Sequence, residues 1–584
     1  MDFKVYVKDE NTHASVSELS NEAGILYARL DVVFDTPAVP SPVTVRWNYP
    51  MTDILCDFNV TNLYDRSIAP SWRKRTTSSR LASGAPLQQL ISHTGRNRMT
   101  VALSDAATPC SIGAGIVEKT AELECDVVFF TQPVNTLESY SAVMRIDMSD
   151  IPYEAALKSA ERWWEESCGY PSAYIPDSAR KPLYSCWYSF HKNIDIEAIV
   201  NQCRLAKAMG MENVIVDDGW QCNELSGGYS YCGDWEPEKS KVSDMKAFVD
   251  RVHETGMKFI LWYSVPAMGV HAANYERFRD MLLNPSSTTW ASLDPRFPEV
   301  RRFLCSIYKK AAEDWGLDGF KLDFIDSFRL FPDTPAFDER WDTLSLEEGV
   351  DRLLSEVSST LRAINPEMLI EFRQSYFGPV IKKYGNMIRV GDCPNDAVRN
   401  RVGGIDLRFL LGKTAVHSDM LMWNVSDSVE AAAAQVISTL FLVPQISVLL
   451  DKIPEAHRRM LNFYLDFWNR HRDTLLDGCL SADDPGYCYS LVKSEKDGET
   501  IAVSYTRPVL SVHGEDTPYS DRLFFVNASS CGRLFIDSEA ALGSYAFRIL
   551  TPCGDTVAEG NTFLGAGVTG FDVPVSGMLE LIKN

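Results

Sequence analysis

In the stretch VIVDDGWQ, residues 214–221, three β-branched residues suited to a buried strand run into two adjacent carboxylates, Asp217 and Asp218, then a glycine and Trp220. Like charges side by side at a strand end cost stability unless something binds them. Two further stretches have the same texture: GFKLDFID carries Lys321, Asp323 and Asp326, and MIRVGDCPND carries Arg389, Asp392 and Asp396. Glycoside hydrolysis needs two carboxyl groups on opposite sides of a scissile bond, about 5 to 5.5 Å apart for retention of configuration and wider for inversion. Lys321 lies two residues before Asp323, on the same side of a strand, where its charge favours an ionised nucleophile. Asp392 has no adjacent lysine and is the better candidate for an acid that stays protonated, with Asp396 in the same loop as its rival.

Such residues need a frame. After Pro182 strands alternate with amphipathic helical segments, and eight strands can be counted: LYSCWYSF, NVIVDDGW, KFILWYS, GFKLDFID, MLIEFRQ, MIRVGD, AVHSDMLMW and QISVLL. This predicts a closed (β/α)8 TIM barrel over residues 182–475. Short alternating runs before it, such as LYARLDVVF, predict an N-terminal β-sandwich over 1–150, joined by a helical linker at 151–181. Strand-and-turn texture returns over 476–584, the mark of a C-terminal β-domain, read as a second β-sandwich. The chain is thus multidomain.

In a barrel, polar residues at the C-terminal strand ends face the site. Read in order, those ends offer Trp187; Asp217, Asp218 and Trp220; Trp262; Lys321 and Asp323; Glu371 and Arg373; Arg389 and Asp392; and His417, Asp419 and Trp423. Indole faces stack on the apolar face of a sugar ring, and carboxylates accept from neighbouring hydroxyls. A pyranose would satisfy Asp217 and Asp218, with Trp220 flanking the ring. His417 reads as a hydrogen-bonded barrel residue, since no second histidine lies at ligand spacing.

Composition narrows the partners. The formal net charge of -22, with no strongly basic block, disfavours nucleic acid and anionic membranes. The run WRKRT at Trp72 reads as a solvated loop. No signal-peptide-like start and no run of eighteen apolar residues is found, so a cytoplasmic chain is expected, a removed leader being the alternative. The 14 cysteines show neither a CxxC pair nor a Cys/His cluster, which argues against zinc; Cys222 and Cys232 are close enough in sequence to pair. No cofactor is implied, because carboxylates suffice for the chemistry.

Taken together, DDGWQ, KLDFID and RVGDCPND, in that order and on the second, fourth and sixth strands, resemble glycoside hydrolase families 27 and 36, the retaining α-galactosidases and α-N-acetylgalactosaminidases. YSCWYSF, GDWEPEKS, GMKFILWYS and HSDMLMWN add to the resemblance, and the flanking β-domains resemble family 36. The resemblance implies a retaining exo-α-glycosidase for terminal galactose-type sugars, with Asp323 as nucleophile and Asp392 as acid/base. It places Asp217 and Asp218 at the O4 and O6 hydroxyls and Lys321 at O3 or O4. Trp187 and Trp262 would line the subsite, and Arg389 would lie near O2 or the nucleophile. The substrate would be an oligosaccharide or glycoconjugate. The chain departs from family 36 on strand five, where IEFRQSYFGP replaces a Cys-Ser-Gly-Gly segment near the sugar's 2-position. There Arg373 could pair with Glu371, or meet an N-acetyl group, an anionic substituent or the next sugar. An α-N-acetylgalactosaminidase, a transglycosylase like the raffinose synthases, and a noncatalytic sugar-binding relative are the alternatives. A homo-oligomer is a further candidate, because in some relatives the N-terminal domain reaches a neighbouring subunit's site; Trp72 and Arg73 would be the loop to do so.

Overall fold

The computed structural model describes residues 1–224, 228–512 and 520–584. Between Lys4 and Asp147, eleven strands form a five-stranded and a six-stranded antiparallel sheet. Alternation decides which face is buried: along Ile25–Ala38, Leu26, Ala28, Leu30 and Val32 are buried while Arg29 and Asp31 pair outside. The inner faces share one core, with Leu30 and Met144 from one sheet against Val45, Trp47 and Val127 from the other, a β-sandwich.

Helix α1 (Tyr153–Ser167) follows. Its apolar stripe, Tyr153, Ala156, Leu157, Ala160 and Trp164, is buried. The Trp164 indole N–H donates to the Leu103 carbonyl at 2.7 Å, and the Tyr153 hydroxyl donates to the Ala482 carbonyl at 2.8 Å. The helix is therefore a bracket between the N-terminal sandwich and the C-terminal region.

Eight parallel strands form the centre: β1 (Leu183–Ser185), β2 (Asn213–Val216), β3 (Lys258–Ser264), β4 (Gly319–Asp323), β5 (Leu369–Arg373), β6 (Met387–Arg389), β7 (Ala415–His417) and β8 (Gln445–Ile446). Sequential neighbours pair from β1 to β7, β8 pairs with β1, and parallel bridges His417–Val443 and Leu421–Ile446 join the two ends. The expected barrel is closed. Among the described residues, seven helices of 9 residues or more surround it: α2 (Ile196–Ala208), α3 (Met245–His253), α4 (Pro298–Trp315), α5 (Leu346–Ile364), α6 (Ala397–Leu410), α7 (Val429–Ser438) and α8 (Glu455–Arg470). Their ends follow from sequence. Asp195 caps α2 by accepting from the Ala198 N–H, Ser345 caps α5 from Glu348, and α4 opens on Pro298 and closes on Gly316 in the left-handed region.

The eight-fold βα repeat expected from sequence fails at one step. Between β5 and β6 the chain makes only a short 3-10 turn, Ile381–Lys383. The connection carries Gly378, Pro379 and Gly385, which disfavour a helix along it. Lys382, buried in that turn, pairs with Glu161 of α1 at 2.6 Å, so α1 stands against the gap.

Among the described residues, ten strands between Cys479 and Lys583 form a seven-stranded and a three-stranded sheet. A buried cluster joins the three parts of the chain. Arg66 pairs with Asp406 of α6 at 2.6 Å and donates to the Pro485 carbonyl at 2.9 Å and the Tyr489 hydroxyl at 3.0 Å. Arg66→Ala would leave Asp406 buried beside Tyr489 without its cation. A loss of about 3–5 kcal/mol is expected, read from urea unfolding.

Candidate active site

Strand register sets the site's layers. Trp262, Lys321, Glu371 and Met387 are laterally paired across β3 to β6; above them Ser264 pairs with Asp323, and Arg373 with Arg389 and His417. Side chains two residues apart on one strand share a face. Lys321 with Asp323, and Glu371 with Arg373, are therefore stacked pairs, the second member nearer the mouth.

Asp323 is almost enclosed. Its Oδ1 accepts from Arg373 Nε at 2.7 Å, from the Phe324 N–H at 2.8 Å and from the Tyr376 hydroxyl; its Oδ2 accepts from the Trp262 indole N–H at 3.0 Å. Burial pushes the carboxyl up, but the Arg373 and Lys321 charges with the Tyr376 and Trp262 hydrogen bonds outweigh it and hold Asp323 well below the usual carboxylate range. The sequence reading of an ionised Asp323 agrees with this, but its cation is different. Lys321 gives its hydrogen bond to Asp217, at 2.6 Å, and Arg373 is the direct partner of Asp323. Arg373 does not pair with Glu371, contrary to one of the options read from sequence, because Glu371 lies one layer deeper.

The two adjacent carboxylates at the end of β2 each have a lysine. Asp217 has Lys321, and Asp218 has Lys192 at 3.3 Å and the Gln221 amide at 2.7 Å. Burial pushes the Asp218 carboxyl up against the pull of Lys192. Gly219 is required between them: its φ is 113° and a Cβ would fall 2.6 Å from the Lys192 Cα. Both carboxylates stay at the mouth, although each is nearly buried. Cys222 and Cys232 are free thiols, so the pairing considered from sequence does not form.

Trp220 departs from expectation. It is fully buried, its indole N–H donates to the Trp262 carbonyl at 3.0 Å, and its ring meets Tyr263 and Trp315. It packs behind β3 and cannot flank a ring in the mouth. Trp220→Ala should cost about 3–5 kcal/mol of stability, checked by denaturant unfolding. Trp262 is also nearly buried, with Tyr229 stacked on it at 6.1 Å, so it acts through its N–H on Asp323. The aromatic groups left half-exposed at the mouth are Trp187, Tyr188, Tyr229 and Phe324.

On the opposite side, Arg389 is buried and joins three carboxylates: Nη2 pairs with Asp392 at 2.8 Å, Nη1 pairs with Asp419, and Nε lies 3.8 Å from Glu371. None of its ion pairs is with Asp323. Asp419, placed at the substrate by the sequence reading, is fully buried; its oxygens accept from Arg389, the Cys393 N–H at 2.6 Å and the Tyr188 hydroxyl at 3.0 Å. Glu371 is likewise fully buried, accepting from the Gln445 amide at 2.6 Å, and burial pushes its carboxyl up to about 7. Asp419, Glu371 and Arg389 support the site from beneath. Asp392, by contrast, has a side chain 55% exposed. Burial pushes it up, but Arg389, Lys321 and Arg373 together hold its carboxyl below the usual range. Reading only for a neighbouring lysine missed Arg389, three residues earlier. The rival Asp396 is the N-cap of α6, accepting from the Arg399 N–H at 2.9 Å and facing Tyr64. His417 donates from Nε2 to the Ala179 carbonyl at 2.8 Å, and burial pushes its pKa down to about 4, so it is a neutral barrel residue. No group of three metal-ligating side chains occurs among the described residues.

Sequence reasoning missed Lys192, Tyr229, Tyr376 and Gln445. Lys192 and Tyr229 come from loops, Gln445 from β8, and Tyr376 from the helix-free connection after β5. Only the doublet Arg373–Tyr376, in a segment already recognised as unusual, carried a signal.

The N-terminal sandwich touches this rim in cis. The Gln374 amide donates to the Val60 carbonyl at 3.1 Å, the Gly84 N–H donates to the Ser375 carbonyl at 3.0 Å, and Arg80 donates to the Asp326 carbonyl at 2.5 Å.

Comparison with known proteins fits this geometry. Residues 173–293 match the Melibiase family model. The matched segment runs from before β1 to beyond β3 and includes Asp217 and Asp218. An A type blood α-D-galactosamine galactosaminidase from Flavonifractor plautii is 28% identical over 171 residues, 26% of this chain and 15% of that protein. The α-galactosidase Mel36A of Lactobacillus acidophilus is 28% identical over 109 residues, 18% of this chain and 15% of that protein. The aligned segments thus span less than a sixth of either relative. Among solved structures, the family 36 α-galactosidase AgaA of Geobacillus stearothermophilus, crystallised with raffinose, superposes with a TM-score of 0.66 at 13% identity, covering 100% of this chain and 86% of that one. The galactosidase domain of the α-galactosidase–sucrose kinase AgaSK gives 0.66 at 12% identity, over 99% and 81%. At these identities the structures share the fold: sandwich, barrel and C-terminal β-domain.

Proposed function

We propose that this chain is a retaining exo-α-glycosidase acting on terminal α-linked galactose-type sugars of an oligosaccharide or glycoconjugate. The observation that carries the proposal is the contrast between two carboxylates at one barrel mouth. Asp323 is enclosed, ionised and held by four donors; Asp392 lies two strands away and is open to solvent. A nucleophile must be ionised and fixed, and an acid/base must exchange protons with leaving group and water. In the first step Asp323 attacks the anomeric carbon while Asp392 gives its proton to the departing oxygen. In the second, water attacks and Asp392 takes its proton. Asp217 and Asp218, with Lys321 and Lys192, form the polar side of the sugar site. A site built to hydrogen-bond hydroxyls strongly rejects analogues that leave its groups unpaired. The α-galactosidase and galactosaminidase names of the partial relatives support the sugar class. Arg373 stands where the C2 substituent was in question, but its Nε is committed to Asp323.

The test is hydrolysis of nitrophenyl α-galactoside and α-N-acetylgalactosaminide by the wild type, with the first-formed sugar followed by proton NMR. Cleavage of one with the α-anomer appearing first supports the proposal. Cleavage with the β-anomer first refutes retention, and no cleavage of either refutes the sugar class.

A further inference from the structure

The two oxygens of Asp323 are not equivalent. Oδ1 takes three donors, from Arg373, the Phe324 backbone and Tyr376, whereas among the described residues Oδ2 takes one, the Trp262 indole at 3.0 Å. The crowd on Oδ1 is fixed in place. Phe324 adopts a left-handed backbone, φ 61°, which turns its N–H onto the preceding carboxylate; the same N–H lies 3.1 Å from the Tyr376 hydroxyl. The Arg373 guanidinium lies 5.2 Å from the Phe324 ring centre and 5.1 Å from that of Tyr376, and its Nη1 donates to the Gln374 carbonyl at 3.0 Å. Tyr376 is fully buried.

Resting on the glycosidase reading above, we propose that Oδ2 of Asp323 is the attacking oxygen, and that Arg373 and Tyr376 are positioning residues that hold Oδ1 to speed release of the glycosyl-enzyme rather than its formation. A carboxylate oxygen with three donors has no lone pair left to present to carbon, whereas Oδ2 has one. In the first step the Oδ2–C1 bond forms, the bond from C1 to the aglycone oxygen breaks, and the proton of Asp392 goes to that oxygen. Oδ1 becomes the carbonyl oxygen of an ester and loses most of its charge. In the second step a water oxygen bonds to C1, the Oδ2–C1 bond breaks with its electron pair returning to the carboxylate, and the water proton goes to Asp392. Charge returns to Oδ1 in that step, where three donors wait for it. Preorganised donors accelerate the step in which charge develops and not the one in which it is lost.

The experiment compares wild type, Tyr376→Phe and Arg373→Gln on the dinitrophenyl α-glycoside of whichever sugar the wild type cleaves. Steady-state constants, stopped-flow release of dinitrophenol and thermal unfolding are measured together. For Tyr376→Phe, kcat should fall about 10- to 100-fold, the scale of a hydrogen bond lost from a developing charge. KM should fall with it, leaving kcat/KM within about threefold, because kcat/KM reports formation of the intermediate. A burst approaching one dinitrophenol per site should appear, and Arg373→Gln should follow the same split. A variant that is folded but loses kcat/KM in parallel with kcat, with no burst, overturns the proposal. Arg373→Gln keeps the test decisive if the phenylalanine variant fails to fold. If instead the wild type cleaves no such glycoside, or Asp323→Ala cleaves it as well as wild type, the glycosidase reading itself falls and this inference with it.

Discussion

Asp323→Ala is expected to lower turnover by about 10^4-fold or more on every α-glycoside the wild type cleaves, the scale seen when a covalent nucleophile is deleted. The carboxylate is the convergence point of Arg373, Tyr376, Trp262 and the Phe324 N–H, and no other carboxylate of the mouth has that setting. Asp217 and Asp218 are occupied by lysines, Glu371 and Asp419 are sealed beneath, and Asp392 is open. Because Asp323 is held well below the usual carboxylate range, it stays ionised from neutral pH far into acid. Its ionic pairing contributes stability above the unfolded value and is lost only as pH falls through its lowered folded value. Sodium azide, small enough to enter the space left by the side chain, should restore release of nitrophenol and give a glycosyl azide of the opposite anomeric configuration. Initial rates with and without azide, with NMR of the product, check both parts. Retained turnover in the alanine variant would remove Asp323 from the mechanism.

Asp392→Ala is expected to discriminate between leaving groups. A dinitrophenolate departs without protonation, so kcat/KM on that substrate should stay within about tenfold. On an unactivated oligosaccharide it should fall about 10^3-fold, within the range general acid catalysis supplies. Equal losses on both would mean that Asp392 positions substrate and donates no proton. The same carboxyl sets a direction with pH. Arg389 holds Asp392 below its ordinary range against the upward push of burial, so its acid form is scarce near neutrality and grows as pH falls. For the unactivated oligosaccharide, kcat/KM of the wild type should therefore rise from neutral toward mildly acidic pH. For the dinitrophenyl glycoside it should be much flatter.

The residues themselves settled a good deal. Eight strand-like runs, most of them separated by amphipathic segments, pointed to a barrel, because strand and helix periods are local properties of the chain. Strand ends then determined which charged groups share a mouth, since a parallel barrel presents every C-terminal end on one side; Asp217, Asp218, Lys321, Asp323 and Asp392 were found in this way. What the sequence could not determine was depth and partnership. Trp220, Asp419, Glu371 and Arg389 follow the same strand-end rule, yet lie behind or beneath the site, because layer and rotamer depend on neighbours from other strands. Lys321 chose Asp217 across β2 over Asp323 on its own strand, and Arg373 chose Asp323 over Glu371. Those are contacts between residues far apart in sequence, fixed only by strand register. Tyr376 reaches Asp323 because the chain after β5 has no helix to carry it away, and Lys192 reaches Asp218 because Gly219 lets two backbones meet. The types of residue in the mouth were written locally; which charge neutralises which was decided by closing the barrel.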